Sequence, residues 1–126
     1  MRGREIQMNQ ATFRMNAADL DRPTDGPKPA EGGYEGNPIE TAHVYYDRDG
    51  VSAGVWICTP GKTLNDDYPC DEFCTIISGK VGVVNNDDDV EEVYSAGDSF
   101  FVPKGANTTW IIYDTVTKFW MITARS

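Results

Sequence analysis

Hydrophobic and polar residues alternate in short runs from residue 39 to the C-terminus. Eight runs of six to nine residues are rich in Val, Ile, Thr and aromatic residues, and strings such as RDG, SGK, NNDDD, AGD and DTVT separate them. Such alternation is typical of strands with one buried face, and the separating strings are typical of turns. No window has the 3.6-residue period of an amphipathic helix. The pattern therefore predicts an all-β domain, a sandwich or a barrel, over residues 39–126.

The first 38 residues differ in composition from the rest of the chain. Residues 22–38, RPTDGPKPAEGGYEGNP, contain four prolines and four glycines, which disfavour regular hydrogen-bonded structure. We predict a linker or strap there, without strand or helix. Residues 12–15 could form a short strand that pairs with a sheet edge or a second subunit, and disorder is the alternative. The sequence thus divides into an N-terminal arm, 1–38, and a barrel, 39–126.

Composition narrows the possible partners. The 126 residues are enough for one domain with one core, and the net charge of −9 disfavours binding to nucleic acid or to anionic membranes. No apolar run reaches the length of a membrane span, and the N-terminus does not resemble a signal peptide, so we expect a soluble, cytoplasmic protein. The three cysteines are an odd number without CxxC spacing, which favours reduced thiols over disulfides or a zinc site.

Two blocks with defined spacing carry a family resemblance. In the first, six residues separate Glu72 from Gly79; in the second, Gly97 is followed by Pro103 and Gly105. Read with GVWICTPGK, DYPCDEFCTIISG, AGDSFFVPKG and TTW, the blocks resemble the two motifs of the cupin superfamily. The match is to small single-domain cupins grouped with the cupin domain of (S)-ureidoglycine aminohydrolase. The resemblance implies a jelly-roll barrel, or double-stranded β-helix, and a homodimer formed by sheet packing or by exchange of N-terminal strands.

The resemblance also raises the question of a metal. A metal-binding cupin has two histidines shortly before the motif glutamate and a third after the second motif, whereas this chain has Asn65–Tyr68 and Thr108 there. One carboxylate does not supply the three or four donors that a transition metal needs. We therefore predict no cofactor. A divalent metal held by Glu72 together with His43 or Asp66 remains the alternative, and an ordinary strand histidine is the other interpretation of His43.

The candidate site centres on Glu72. Strand alternation places Glu72, Cys74 and Ile76 on one face, and by resemblance that face points into the barrel. A buried carboxylate must be paired or neutral, so we expect contact with Tyr68 or Lys118 and a pKa raised by desolvation. The predicted catalytic residues are Glu72, Tyr68 and Lys118. The predicted substrate-binding residues, for which core packing is the alternative, are Trp56, Cys74, Thr108, Trp110 and Trp120.

Two classes of function fit these residues. The first is a metal-independent enzyme of the isomerase, lyase or C–N hydrolase type that acts on a small polar metabolite. Glu72 would move a proton while Tyr68 or Lys118 stabilises negative charge. The second is a non-catalytic ligand-binding or dimerising cupin. A barrel filled by its own side chains would indicate the second class, whereas a cavity would favour a small-molecule site.

Overall fold

The computed structural model of the protein describes residues 11–124, in which almost all regular structure is β-strand. A 3₁₀ helix, Ala17–Asp21, precedes the strands. No helix in this range is long and apolar enough to cross a membrane. The strands are β1 (Asp25–Pro29), β2 (Gly33–Glu35), β3 (Ile39–Arg48), β4 (Val51–Cys58), β5 (Gly61–Asn65), β6 (Asp71–Asn85), β7 (Val90–Ser95), β8 (Ser99–Val102) and β9 (Thr108–Thr123).

The strands form one curled sheet around a single core. Their order is β1-β3-β4-β9-β5-β2, and β6 pairs with β9, β7 and β8. Strand β9 organises this arrangement, because it pairs with β6 along most of its length and with β5 and then β4 on its other side. The prediction of an all-β fold is confirmed. The buried core residues are Ala30, Cys58, Cys74, Ile76, Val81, Val102, Trp110, Ile112 and Val116.

Two of the predicted turns are bends within long strands. The runs around SGK merge into β6, and the runs around DTVT merge into β9. Gly79 has φ +87°, and a Cβ on it would lie 2.0 Å from the carbonyl oxygen of Thr115 on β9. The pairing register shifts at this point. Gly79 therefore permits a close crossing of two continuous strands, where the sequence pattern predicted a chain reversal.

The arm also differs from its prediction. Residues 22–38 do contain strands: β1 pairs with β3, and β2 pairs with β5. Both are edge strands, where a proline without an N–H is tolerated, so Pro27 and Pro29 do not prevent pairing. Residues 12–15 form no strand, and Phe13 instead stacks on Tyr45 with 5.9 Å between the ring centroids. The boundary at residue 38 remains a prediction, although β1 and β2 join the barrel sheet.

Candidate functional site

Strand alternation places a glutamate and a lysine inside the barrel. On β6, Glu72, Cys74 and Ile76 are buried while Phe73 is exposed, as the sequence pattern predicted. On β9, Lys118 is 4% exposed and Glu72 on β6 is 6% exposed. Two ionisable side chains therefore lie in the interior of a small domain, where a charged group is stable only with a good partner.

Glu72 has a partner on each carboxylate oxygen. The Lys118 ammonium lies 2.8 Å from Glu72 Oε2, and the Tyr68 hydroxyl donates a hydrogen bond to Glu72 Oε1. Tyr68 follows β5 in a loop whose backbone is fixed to the β8–β9 connection, because Tyr68 N–H donates to the Ala106 carbonyl and Gly105 N–H donates to the Tyr68 carbonyl. We call Tyr68, Glu72 and Lys118 the buried triad. Both predicted partners of Glu72 are thus in contact with it.

Aromatic rings surround the Lys118 ammonium. Its nitrogen lies 4.7 Å from the centroid of the Trp56 ring and 4.3 Å from that of Trp110. It also lies 3.5 Å from Cys74 Sγ. Trp56 is directly opposite Lys118 in the β4–β9 register. Ring faces attract a cation, and this attraction is stronger where water is excluded, so the tryptophans help to keep Lys118 charged in the interior.

The pKa expected for Glu72 was wrong in direction. Burial raises the pKa of this carboxyl, but the Lys118 ammonium and the hydrogen bonds from Lys118 and Tyr68 outweigh burial, and the pKa lies below its ordinary value. Burial lowers the pKa of Lys118, but the Glu72 carboxylate outweighs it and the net shift is upward. Burial and the Glu72 charge both raise the pKa of Tyr68. At neutral pH the triad is therefore an ionised carboxylate that accepts from an ammonium and a neutral phenol.

The triad lines a cavity of about 530 Å³. Six of the eight predicted site residues line it: Tyr68, Glu72, Lys118, Trp56, Trp110 and Trp120. Cys74 and Thr108 are buried and do not belong to the lining, and a role for them in substrate binding stays a prediction. Cys74 Sγ is in contact with the Lys118 ammonium, and burial raises the pKa of the Cys74 thiol to about 12. The hydroxyl of Thr108 is bonded to the Trp110 indole and to the Asn65 carbonyl.

Several lining residues were not predicted to bind substrate, among them Glu31, Glu40, Thr63, Asn65 and Asp66. On β3 the cavity is lined by Glu40, Ala42 and Val44, which follow the two-residue period of a strand, and also by Thr41; the period was the sequence signal that could have identified Glu40. No comparable signal identified Glu31, because it lies in the connection between β1 and β2 and only the tertiary structure brings it to the cavity. All three cysteines are unpaired and buried, as expected for reduced thiols.

The residues present do not fit a metal ion. Both Glu72 oxygens are occupied by Lys118 and Tyr68, and an ammonium is a poor neighbour for a second cation. The His43 ring bonds to the Arg22 carbonyl and packs against Tyr45, while its neighbours Ala42 and Val44 line the cavity, so His43 faces away from Glu72. Within residues 11–124, no group of three or more His, Cys, Asp and Glu side chains could hold a metal.

Comparison with known proteins gives a family and a fold. The sequence profile described as the EutQ-like cupin domain matches residues 47–120. The EutQ protein of Clostridium difficile superposes with a TM-score of 0.62 at 14% identity, covering 95% of this chain and 86% of that one. The polyketide cyclase RemF of Streptomyces resistomycificus gives 0.67 at 13%, covering 91% and 81%. A protein of unknown function from Pseudomonas syringae gives 0.68 at 23%, covering 80% and 43%. A comparison with curated proteins gave no match.

Proposed function

The chain belongs to the EutQ-like cupin domain family, and we propose that it binds a small polar metabolite in the barrel cavity and acts on it through the buried triad, without a metal. One observation carries the proposal: an ion pair with a bonded phenol lines a cavity large enough for a small molecule. The predicted cupin fold is confirmed, whereas the finer resemblance to (S)-ureidoglycine aminohydrolase stays a prediction.

The protonation states of the triad assign different roles to its members. Lys118 is the group able to donate a hydrogen bond to a substrate oxygen and to stabilise negative charge that develops there, because it is a protonated ammonium in a buried position. Glu72 positions Lys118 and keeps it charged. The lowered pKa makes Glu72 a weak base, which argues against the prediction that Glu72 moves the proton.

The chemistry that suits this arrangement develops charge on a carbonyl oxygen. Such charge can develop in isomerisation, elimination and C–N bond hydrolysis, with a water molecule as the nucleophile in hydrolysis, and the resemblance to the aminohydrolase supports the last of these. Because its pKa is raised, Lys118 keeps its proton and stabilises the substrate oxygen by a hydrogen bond as the negative charge grows there. Tyr68 holds the second Glu72 oxygen and keeps the carboxylate from rotating away from Lys118.

A metabolite screen with a conservative variant tests the proposal. Binding to the cavity should change the fluorescence of Trp56, Trp110 and Trp120, and bound compounds should then be followed by NMR for chemical conversion. Tyr68→Phe removes one hydroxyl and should slow conversion by about tenfold or more. Tyr94→Phe is the matched control, because the Tyr94 ring stacks on Phe100 outside the lining. Compounds that bind but are never converted would refute the enzymatic part.

A dimerising, non-catalytic cupin is the second candidate, and a specific surface favours it. Phe73, Phe101 and Met121 lie next to each other in the register of β8, β6 and β9, on the outer face of the sheet. Each side chain is between 44% and 56% exposed. We call these three residues the outer apolar row. An apolar surface of this kind on a sheet is suited to packing against a second copy of the chain.

A further inference from the structure

The cavity has an unbalanced charge. Its lining contains five carboxylates, from Asp25, Glu31, Glu40, Asp66 and Glu72, and one ammonium, from Lys118. Glu72 is neutralised by Lys118 at 2.8 Å, and Asp25 pairs with Lys28 at 2.9 Å. The three remaining carboxylates, Glu31, Glu40 and Asp66, form no salt bridge with any residue between 11 and 124, and Lys28 interacts with Glu31 and Glu40 only at longer range.

Glu40 is held in place by neutral donors. Its Oε1 accepts a hydrogen bond from the Trp56 indole N–H at 3.0 Å, and its Oε2 accepts one from the Glu31 backbone N–H at 3.3 Å. These bonds fix the position of the carboxylate without cancelling its charge. They also connect the strap between β1 and β2 to the cavity wall, which brings Glu31 to the same side as Glu40.

We propose that the ligand of this cavity is a small organic cation that also carries an acceptor oxygen, such as an amino amide or an amino ketone. This inference rests on the proposed function, because the oxygen would accept from Lys118. Glu31, Glu40 and Asp66 attract the positive end and repel carboxylates and phosphates. The Trp120 ring also lines the cavity and offers a further surface that favours a cation.

Three fragments that differ in charge test the proposal. Glycinamide, propionamide and malonamate all carry an amide oxygen and are of similar size, but are cationic, neutral and anionic at pH 6.5. Each is titrated into ¹⁵N-labelled protein while the indole resonances of the cavity tryptophans are followed. Glycinamide should bind on the order of tenfold more tightly than propionamide, and malonamate most weakly.

Two double variants distinguish an effect of the cavity carboxylates on binding from an effect of the overall negative charge of the chain. Glu31→Gln with Asp66→Asn should weaken glycinamide binding at least about threefold. Asp89→Asn with Glu92→Gln, on the exposed β6–β7 hairpin, changes the net charge equally and should leave binding unchanged. Equal binding of the three fragments, or an equal effect of the two double variants, would overturn the inference while leaving a functional cavity. Failure of all three fragments would also overturn it, whereas the proposed function is decided separately by the metabolite screen and Tyr68→Phe.

Discussion

On β6 and β9 the inner face of the sheet carries a buried glutamate and a buried lysine, whereas the outer face carries exposed phenylalanine and methionine. Glu72 and Lys118 are 6% and 4% exposed, and Phe73 and Met121 are 44% and 47% exposed. Most strands place their polar residues outward and their apolar residues inward. Glu72 and Phe73 on β6, and Lys118 and Met121 on β9, depart from that rule in opposite directions, and our proposals of a ligand inside and a second copy outside start from this departure.

The two faces contribute differently to the free energy of folding. Removing two ions from water is unfavourable, and their attraction offsets this only when the geometry and the remaining hydrogen bonds are good. The inner face meets that condition through Tyr68, Trp56 and Trp110. The outer face leaves apolar area in water, which a partner surface would cover. Changes to the inner face should therefore alter folding, and changes to the outer face should alter association.

The largest effect is expected from breaking the ion pair. Lys118→Met leaves the Glu72 carboxylate buried without a cation, and the free energy of unfolding should fall by about 3–5 kcal/mol. Urea denaturation followed by tryptophan fluorescence measures the loss.

The double variant Glu72→Leu with Lys118→Met sharpens this result. Replacing a buried pair by apolar groups of similar volume is often neutral or stabilising, so the double variant should recover most of the lost stability. A single variant that loses less than about 1 kcal/mol, as exposed pairs do, would contradict a buried, mutually dependent pair.

A smaller effect is expected from pH. Since the folded-state pKa of Glu72 lies below the ordinary 4.5, its contribution to stability is complete above that value and is lost as the pH falls through the lowered pKa. The pKa of Lys118 lies above the ordinary 10.5, so its contribution is complete below that value and is lost at higher pH. The stability difference between the wild type and the double variant should be flat from about pH 5 to 10 and change outside this window. A stability difference that changes with pH near neutrality would contradict the assigned protonation states of Glu72 and Lys118.

The strands and the inward orientation of Glu72 could be predicted because both depend on local alternation. The contact of Glu72 with Lys118, 46 residues away, was accessible because a buried charge needs a partner and the chain offers few buried cations. The direction of the Glu72 pKa shift could not be predicted from the sequence. Burial raises this pKa and attraction to Lys118 lowers it, and only the 2.8 Å distance decides between them. Strand β1 was also missed, because its pairing depends on the neighbouring β3 and its own residues disfavour a strand.

The smallest effect on the fold, and a large one on assembly, is expected from the outer apolar row. We expect sedimentation at micromolar concentration to give twice the 14.0 kDa of the chain. Phe73→Ser with Met121→Ser should halve that mass, while the stability of the monomer should change little because these side chains are already in contact with water.

Val90→Ser with Val93→Ser removes comparably exposed apolar side chains from the β6–β7 hairpin, 52% and 50% exposed, and serves as the control. If the control disrupts the dimer equally, general surface hydrophobicity is responsible and the outer row has no special role. If the wild type is already a monomer, the second face has no partner copy, and its exposed phenylalanines need an explanation other than self-association. A loss of mass confined to the row would establish that the outward residues of β6 and β9 contact a second chain, whereas a ligand contact on the inner face is decided separately by the metabolite screen and the fragment titrations.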